Sequence, residues 1–183
     1  MELPGYYYIV IHKDRHFGRP FIAGTLIRPE NVIYELAKGK TFDEVADTFY
    51  GQIGIKQIQE CVKYAIDVIK ILKTGKIKVK VPAKLKKKLD PGKYKYLDKE
   101  SDRYNPKIKN SDVTVIDVLN RIYNGKEVPQ VAEELNISKE AVMESLFFAG
   151  SKIDDFHLSL SSFEDPVMTV LNLFNYIRKS ELQ

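Results

Sequence analysis

Apolar positions near the start of the chain follow a strand pattern and then change to a helical period. Tyr6–Ile11 and Pro20–Ile27 are rich in aromatic and β-branched residues, which predicts a small antiparallel pair. From Pro29, which the first turn of a helix tolerates, apolar residues recur at helical spacing until Gly39 ends the pattern. A hairpin followed by one helix is therefore predicted.

The next segment has the signals of two further helices. Thr41 and Glu44 have the spacing of a capping box, which predicts a short helix beginning after Thr41. Gly51 and Gly54 interrupt the pattern, and a longer amphipathic helix is predicted over 55–72. Three helices, of which the second is short and joined to the third by a tight turn, are the outline of a helix-turn-helix.

Residues 73–109 have a different character. Lys76–Val81 alternates lysine with aliphatic residues, as a strand with one exposed face would, and 83–89 is rich in lysine. The Pro91-Gly92 pair predicts a turn. We interpret this stretch as a basic connector that holds one hairpin, and partial disorder is the alternative.

The helical pattern of the first part returns after the connector. Residues 31–49 align without a gap with residues 117–135, and Gly39 matches Gly125 in that alignment. A degenerate internal duplication explains this match. The alternative is two unrelated helical hairpins that share common residues.

The C-terminal part completes the predicted fold. A short alternating segment, Phe156–Leu160, precedes an amphipathic helix predicted over 165–179, which would pack on the second repeat or on a copy of itself. The predicted fold class is mainly α with small β-hairpins, in which two degenerate, winged-helix-like helix-turn-helix repeats are joined by a basic connector. The predicted domains are residues 1–72, 73–110 and 111–183.

Charge separates into three blocks along the chain. Residues 1–72 carry nine basic and nine acidic side chains, residues 73–109 carry fourteen and four, and residues 110–183 carry six and twelve. Attraction to a polyanion would therefore fall on the middle block, and the last block should repel phosphate.

Composition narrows the class of protein. The chain has 183 residues, of which 44% are apolar and 30% charged, so we expect a folded globular protein. It contains no apolar run of membrane-spanning length and no signal-peptide pattern at its start. Its one cysteine, Cys61, excludes an intramolecular disulfide. A cytoplasmic location is therefore expected.

One part of the chain, about residues 6–70, resembles a known family. The resemblance is carried by Gly18-Arg19-Pro20-Phe21-Ile22-Ala23-Gly24-Thr25 before a helix, by Leu36-Ala37-Lys38-Gly39 at its end, and by Phe42-Asp43-Glu44-Val45. The pattern is similar to domain of unknown function 433, whose members resemble the DNA-binding antitoxins of VapBC-type toxin–antitoxin modules. This resemblance implies a helix-turn-helix fold, double-stranded DNA as a ligand and a PIN-like ribonuclease as a partner.

The chain departs from the family pattern at two places. Leu26 stands where the family usually has arginine after Gly-Thr. The second repeat has no Gly-Arg-Pro motif, so it is expected to keep only the helical half and to lack the hairpin.

The third helix of the first repeat is the predicted recognition helix. Its exposed face is predicted to present Lys56, Gln57, Gln59 and Lys63 to the major groove, because glutamine pairs with adenine and lysine contacts guanine or phosphate. The alternative is a merely solvated helix face. Contacts to the DNA backbone are predicted for Arg19, Thr25 and Arg28, and for the connector lysines Lys84, Lys86, Lys87 and Lys88. For the connector, a soluble linker is the alternative.

Residue spacing indicates no catalytic or metal-binding constellation. The three histidines, His12, His16 and His157, lack the paired spacing of a helical metal site, and His12 and His16 are expected at the surface. Asp154, Asp155 and Asp165 are expected in solvated loops. Cys61 lies on an apolar helix face, as a packing thiol would. We therefore predict neither an enzyme nor a cofactor.

The sequence thus favours a sequence-specific DNA-binding protein, an antitoxin or transcriptional repressor that acts as a homodimer on paired half-sites. The alternative is a protein-interaction module that binds and neutralises a ribonuclease partner without specific DNA binding. Leu26 and the acidic C-terminal block favour the alternative.

Overall fold

A hairpin followed by three helices occurs twice in the chain. The computed structural model describes residues 1–80, the first half, and residues 94–183, the second half. The first half contains β1 (Ile9–Val10), β2 (Phe21–Ile22), α1 (Pro29–Ala37), α2 (Phe42–Thr48) and α3 (Ile55–Lys73). The second half contains β3 (Leu97–Asp98), β4 (Lys107–Ile108), α4 (Val115–Tyr123), α5 (Val128–Leu135), α6 (Lys139–Leu160) and α7 (Pro166–Glu181). The described chain is thus mainly helical with two small antiparallel hairpins, as predicted.

Local sequence signals set the ends of the helices. The Thr41 hydroxyl accepts from the Glu44 N–H at 3.2 Å and the Glu44 carboxylate accepts from the Thr41 N–H at 2.8 Å, which confirms the capping box. Gly39 and Gly125 follow α1 and α4 with φ of +86° and +91°, where a residue with a Cβ is strained. The pattern of helix starts and stops in the sequence therefore reflects backbone requirements of the fold.

Two segments with an alternating pattern, of which Lys76–Val81 was predicted as a strand, have other structures. Phe156–Leu160 forms the last turns of α6, because Ile153, Phe156 and Leu160 recur at helical spacing and are all buried. Lys76–Lys80, the described part of the alternating lysine segment, forms no strand, although Ile77 is buried. An alternation of apolar and polar residues over only five residues does not distinguish a strand from other structures that bury one face of the segment.

The two halves correspond element by element. The pairs β2 and β4, α1 and α4, and α2 and α5 each begin 86 positions apart (21 and 107, 29 and 115, 42 and 128). The third pair of helices, α3 and α6, begins 84 positions apart (55 and 139). The gap-free alignment of residues 31–49 with residues 117–135 has the same offset of 86.

The expectation that the second half lacks a hairpin is wrong. β3 pairs with β4 in antiparallel register, and this hairpin lies inside the predicted connector. The Ile108 N–H donates to the Val113 carbonyl at 2.8 Å, as the Ile22 N–H donates to the Ile27 carbonyl at 2.9 Å. Pro106 is the part of the Gly-Arg-Pro motif that the second half retains. The hairpin therefore forms without the rest of the motif.

The halves pack through exchanged helices. The most extensive packing of α1 is along α6, that of α4 is along α3, and α3 and α6 also contact each other. Helix α7 packs against α3. The largest fully buried aromatic side chains are Tyr64, Phe148, Phe156 and Phe174. The long third helices of both halves therefore lie at the centre of the fold.

Candidate functional site

The predicted recognition helix, α3, is enclosed by other helices for most of its length. Helices α1, α4, α6 and α7 all pack against it. Its buried apolar side chains are Ile58, Cys61, Val62, Ala65, Ile66, Val68, Ile69, Ile71 and Leu72. At its N-terminal end Ile55 and Lys56 are exposed, and the half-buried Gln57 accepts from the Gly54 N–H at 3.1 Å. The first turn of α3 is therefore exposed, whereas the middle of the helix is mostly buried.

The other two predicted groove-reading residues of α3 bind to the chain itself. The Gln59 side-chain amide donates to the Tyr123 carbonyl at 2.9 Å, and Tyr123 belongs to the second half. The Lys63 ammonium donates to the Gly5 carbonyl. Both side chains are half-buried and are engaged with main-chain carbonyls of the protein itself in this arrangement.

The described residues that were predicted to contact the DNA backbone differ in their local contacts. The Thr25 hydroxyl accepts from the Ile27 N–H at 3.0 Å and so stabilises the turn after β2. The Arg28 Nε lies 3.2 Å from the Glu30 carboxylate, and Arg19 forms no ion pair with a described residue. Lys84, Lys86, Lys87 and Lys88 lie outside the described residues.

A groove opens where the first hairpin, the N-terminal turns of α3 and the end of α4 meet. It has a volume of about 630 Å³ and is lined by Tyr7, Tyr8, Lys56, Gln59, Glu60, Tyr123 and Asn124. The Glu60 carboxylate fixes one wall by accepting from the Tyr7 and Tyr8 N–H groups, each at 2.8 Å. Tyr7 is 88% exposed and Tyr123 is 38% exposed. Sequence reasoning missed this groove because its residues come from both halves.

Acidic side chains cover the surface of α2 and α5. The exposed acidic residues are Asp43, Glu44 and Asp47 on α2, and Glu133 and Glu134 on α5; we call them the acidic surface. The two helices meet where the Phe42 N–H donates to the Glu127 carboxylate at 2.9 Å. The segment from α2 to the end of α3 (42–73) contains four basic and five acidic residues, and the segment from α5 to the end of α6 (128–160) contains two basic and six acidic residues. Surfaces of this sign repel phosphate.

A buried polar cluster joins α1, α3 and α6. His157 Nε2 lies 2.7 Å from the Tyr64 hydroxyl, and His157 Nδ1 lies 3.6 Å from the Glu30 carboxylate. Burial raises the pKa of Glu30, but the charges of His157 and Arg28 outweigh burial and hold this pKa below its ordinary value. Among the described residues, neither Glu30 oxygen nor His157 Nδ1 has a hydrogen-bond partner. This cluster therefore places the Glu30 carboxylate in the core as a charged group.

The aspartates expected in solvated loops instead have structural roles. Asp154 and Asp155 lie in α6, where Asp154 accepts from the Tyr34 hydroxyl at 2.5 Å and Asp155 pairs with Lys152 at 2.9 Å. Asp165 is the N-cap of α7. The expectation is wrong for Asp154 and Asp155, because α6 extends further than the sequence pattern indicated, whereas Asp165 is exposed in the loop before α7, as expected.

The remaining candidate groups offer no reactive centre. Cys61 is buried, as expected, and burial raises the pKa of its thiol. His12 is exposed, His16 is half-buried against Phe21, and His157 is in the core. Across residues 1–80 and 94–183, no three His, Cys, Asp or Glu side chains are placed to hold a metal ion.

Comparisons with known proteins find a match to one family model over part of the chain. The chain matches no curated protein and no solved structure. In the part of the chain that the structure describes, no helix combines the length and apolarity needed to cross a membrane. Residues 9–65, which run from β1 into the middle of α3, match the family model described as Protein of unknown function (DUF433).

Proposed function

We propose that this protein is a protein-interaction module that binds a basic partner protein through its acidic surface. The observation that most supports this proposal is the enclosure of α3. A recognition helix must present side chains along one face to the major groove. In this chain Gln59 and Lys63 are bound to main-chain carbonyls, and Lys56 is the one predicted reader that stays exposed.

Charge gives independent support. The segment from α5 to the end of α6 is acidic and the segment from α2 to the end of α3 has no excess of basic residues, whereas DNA binding depends on neutralising phosphates with lysine and arginine. The same acidic side chains would attract a basic protein and speed its association. A ribonuclease is such a partner, because the surface that binds RNA phosphates is basic. The PIN-like ribonuclease implied by the family resemblance remains the specific candidate.

The tyrosine-lined groove supplies the apolar part of such an interface. Asn124, at one end of the groove, leads directly into α5 and the acidic surface. Interfaces draw most of their binding free energy from a few buried aromatic or arginine anchors surrounded by polar residues. Tyr7 and Tyr123 would form the anchor, and the carboxylates of α2 and α5 would form the polar rim.

We also propose that the halves are degenerate copies of one helix-turn-helix unit and that their packing replaces a homodimer. The exchange of α1 and α4 onto the third helix of the other half supports this, because it has the reciprocity of a two-fold interface. On this proposal the second half serves as a built-in partner and does not read DNA.

Charge reversal on the acidic surface tests the proposed function. The full chain is isolated from its native source with its partner, and binding of the purified partner is measured by calorimetry. Asp43→Lys with Asp47→Lys should weaken binding by about tenfold or more, because like charges would then face each other. Glu164→Lys, an exposed acidic residue outside α2 and α5, is the matched control and should bind as wild type. Equal affinity of both variants would contradict the proposal.

Sequence-specific DNA binding is the second candidate, favoured by the exposure of Lys56 at the N-terminal turn of α3. The N-terminal residues of a recognition helix are those that contact base edges. Fluorescence polarisation with duplex DNA from the region upstream of the gene distinguishes the candidates. Sequence-selective nanomolar binding that is lost in Lys56→Ala would establish the second candidate over the first.

A further inference from the structure

The tip of the first hairpin holds strained backbone with no compensating contact for its central side chain. His16, Phe17 and Gly18 have consecutive positive φ values of 50°, 56° and 71°. Left-handed backbone is unfavourable for His and Phe, and such strain persists where the surroundings enforce it, often at functional sites. Phe17 is nevertheless 91% exposed, so its ring stabilises nothing in the fold.

The base of this tip is held firmly. The Gly18 and Arg19 N–H groups donate to the Arg15 and His16 carbonyls at 3.1 and 3.0 Å. A Cβ placed at Gly18 would lie 3.2 Å from the Val167 side chain, so the tip sits directly against α7. These hydrogen bonds and the contact with α7 thus hold the strained conformation in place. As a result, the Phe17 ring projects into solvent from a well-ordered backbone.

The charge around Phe17 indicates what the ring meets. Lys13, Arg15 and Arg19 surround it in sequence, and none of them forms an ion pair with a described residue. The one acidic residue of the tip, Asp14, has a carboxylate 4.0 Å from His12 Nδ1. Lys13 and Arg15 are exposed and Arg19 is half-buried, and basic residues so close in sequence to an exposed ring are complementary to a polyanion with apolar surfaces between which the ring can insert.

We propose that residues 12–19 form a DNA-contacting wedge, in which Phe17 inserts between base steps of a duplex and Lys13, Arg15 and Arg19 bind the adjacent phosphates. Apolar wedges flanked by basic side chains act in this way at the minor groove and need no base-specific hydrogen bonds. A membrane surface is a poorer match, because one aromatic ring buries too little apolar area to anchor a protein. This wedge does not involve α3 or the acidic surface, so it can be tested separately from the proposed function.

Binding of the full chain to a mixed-sequence duplex containing 2-aminopurine tests the wedge. Wild type should bind with little sequence preference, raise the 2-aminopurine fluorescence by unstacking, and lose affinity as salt rises. Phe17→Ala should bind about tenfold more weakly without the fluorescence rise, since stacking on an aromatic side chain contributes about 1–3 kcal/mol. Phe17→Tyr should retain both signals, and Arg15→Ala should lower the log–log salt slope by about 0.9.

Tyr50 provides a matched control, because it is an aromatic residue with φ of 54° that is 90% exposed. Phe17→Gly and Tyr50→Gly should both raise the melting temperature by relieving strain, but only Phe17→Gly should lower the affinity for the DNA duplex. The inference is overturned if wild type does not bind the duplex at about 50 mM salt. It is equally overturned if Phe17→Ala binds as wild type, or if the chain binds anionic vesicles more tightly than DNA.

Discussion

The two halves share a backbone framework but differ in the side chains that the framework carries. The Glu60 carboxylate accepts from two N–H groups of the first hairpin, and Glu144, 84 positions later, accepts from three N–H groups of the second. By contrast, the polar cluster of Glu30, Tyr64 and His157 is not repeated. The equivalent positions in the other half are occupied by Ile116, Phe148 and Lys73, respectively. Hydrogen bonds that satisfy the backbone are retained, whereas side chains that pack between the halves have diverged.

The two hairpins likewise share their framework and differ in detail. Both hold equivalent turns, but residues 99–106 of the second contain no positive φ, and the first has three at its tip. A difference confined to one tip, on an otherwise shared framework, indicates that the strain is not needed to form a hairpin. It is this contrast that assigns the strain around Phe17 to binding.

Removing the Glu60 or Glu144 carboxylate, each of which accepts hydrogen bonds from a hairpin and is called here a carboxylate clamp, should have the largest effect on stability. Glu60→Ala and Glu144→Ala should each lower the free energy of unfolding by about 3 kcal/mol, because each leaves backbone N–H groups without a charged acceptor. Urea denaturation measures this, and Glu133→Ala, an exposed residue on α5, should change stability by less than about 0.5 kcal/mol. If only one clamp variant lost stability, the hairpins would not be held alike.

Close packing of α1 on α6 should give the next largest effect. A Cβ at Gly150 would lie 2.7 Å from the Tyr34 ring, so Gly150→Ala should destabilise the chain by about 2 kcal/mol through overpacking. The corresponding residue of α3 is Ile66, which shows that the α4–α3 contact does not require a small residue there. In a Tyr34→Ala background the same substitution should cost little. A double-mutant cycle measures this, and additive costs would show that the ring is not the obstacle.

The sequence predicted the helices because their signals are local. The capping box at Thr41, the stop at Gly39 and its match at Gly125 each act within a few residues, and they recur at the repeat offset. A hairpin was predicted within the connector, but it was not recognised as the hairpin of the second repeat, because its strands have two residues each and only Pro106 remains of the motif. A Glu144 that holds the hairpin from 47 residues away leaves no local sign.

Enclosure of α3 was also missed, although a signal for it was present. Counting polar residues from Lys56 to Lys63 indicated an exposed face, but from Tyr64 to Leu72 apolar residues occur all around the helix. A helix that is apolar on all sides is a buried one. Which helices cover it depends on the pairing of the two halves, and neither the groove nor the acidic surface can be located without that pairing.

Relief of strain at the hairpin tip should give a smaller effect of opposite sign. Phe17→Gly should raise the free energy of unfolding by about 1 kcal/mol, because glycine adopts the positive φ without a Cβ penalty. Arg103→Gly, at the corresponding place in the second hairpin, should instead lower it by about 0.5 kcal/mol, because that backbone is unstrained and glycine is more flexible when unfolded. Thermal denaturation measures both, and changes of the same sign would remove the distinction between the hairpins.

The smallest effect concerns the polar contact of α1 with α6, and it depends on pH. Burial, followed by the charge of Glu30, raises the pKa of Asp154 above its ordinary value of 3.8, although the Tyr34 hydroxyl opposes the shift. The folded state therefore holds the proton more tightly than the unfolded state does, and ionised Asp154 weakens the fold at neutral pH. Asp154→Asn retains an acceptor for Tyr34 and should stabilise the chain at pH 7 by up to about 1 kcal/mol.

As the pH falls through the raised pKa of Asp154 towards the ordinary value, wild type recovers this stability and the advantage of Asp154→Asn should disappear. The contribution of Glu30, whose pKa is lowered, has the opposite trend in both proteins, and because its charge is coupled to that of Asp154 it does not cancel fully in their difference. The urea denaturation midpoints of wild type and Asp154→Asn, measured from pH 7 to pH 4, test this prediction. An advantage that grew on acidification would mean that Asp154 is held as a carboxylate, and that the α1–α6 contact gains stability from its charge.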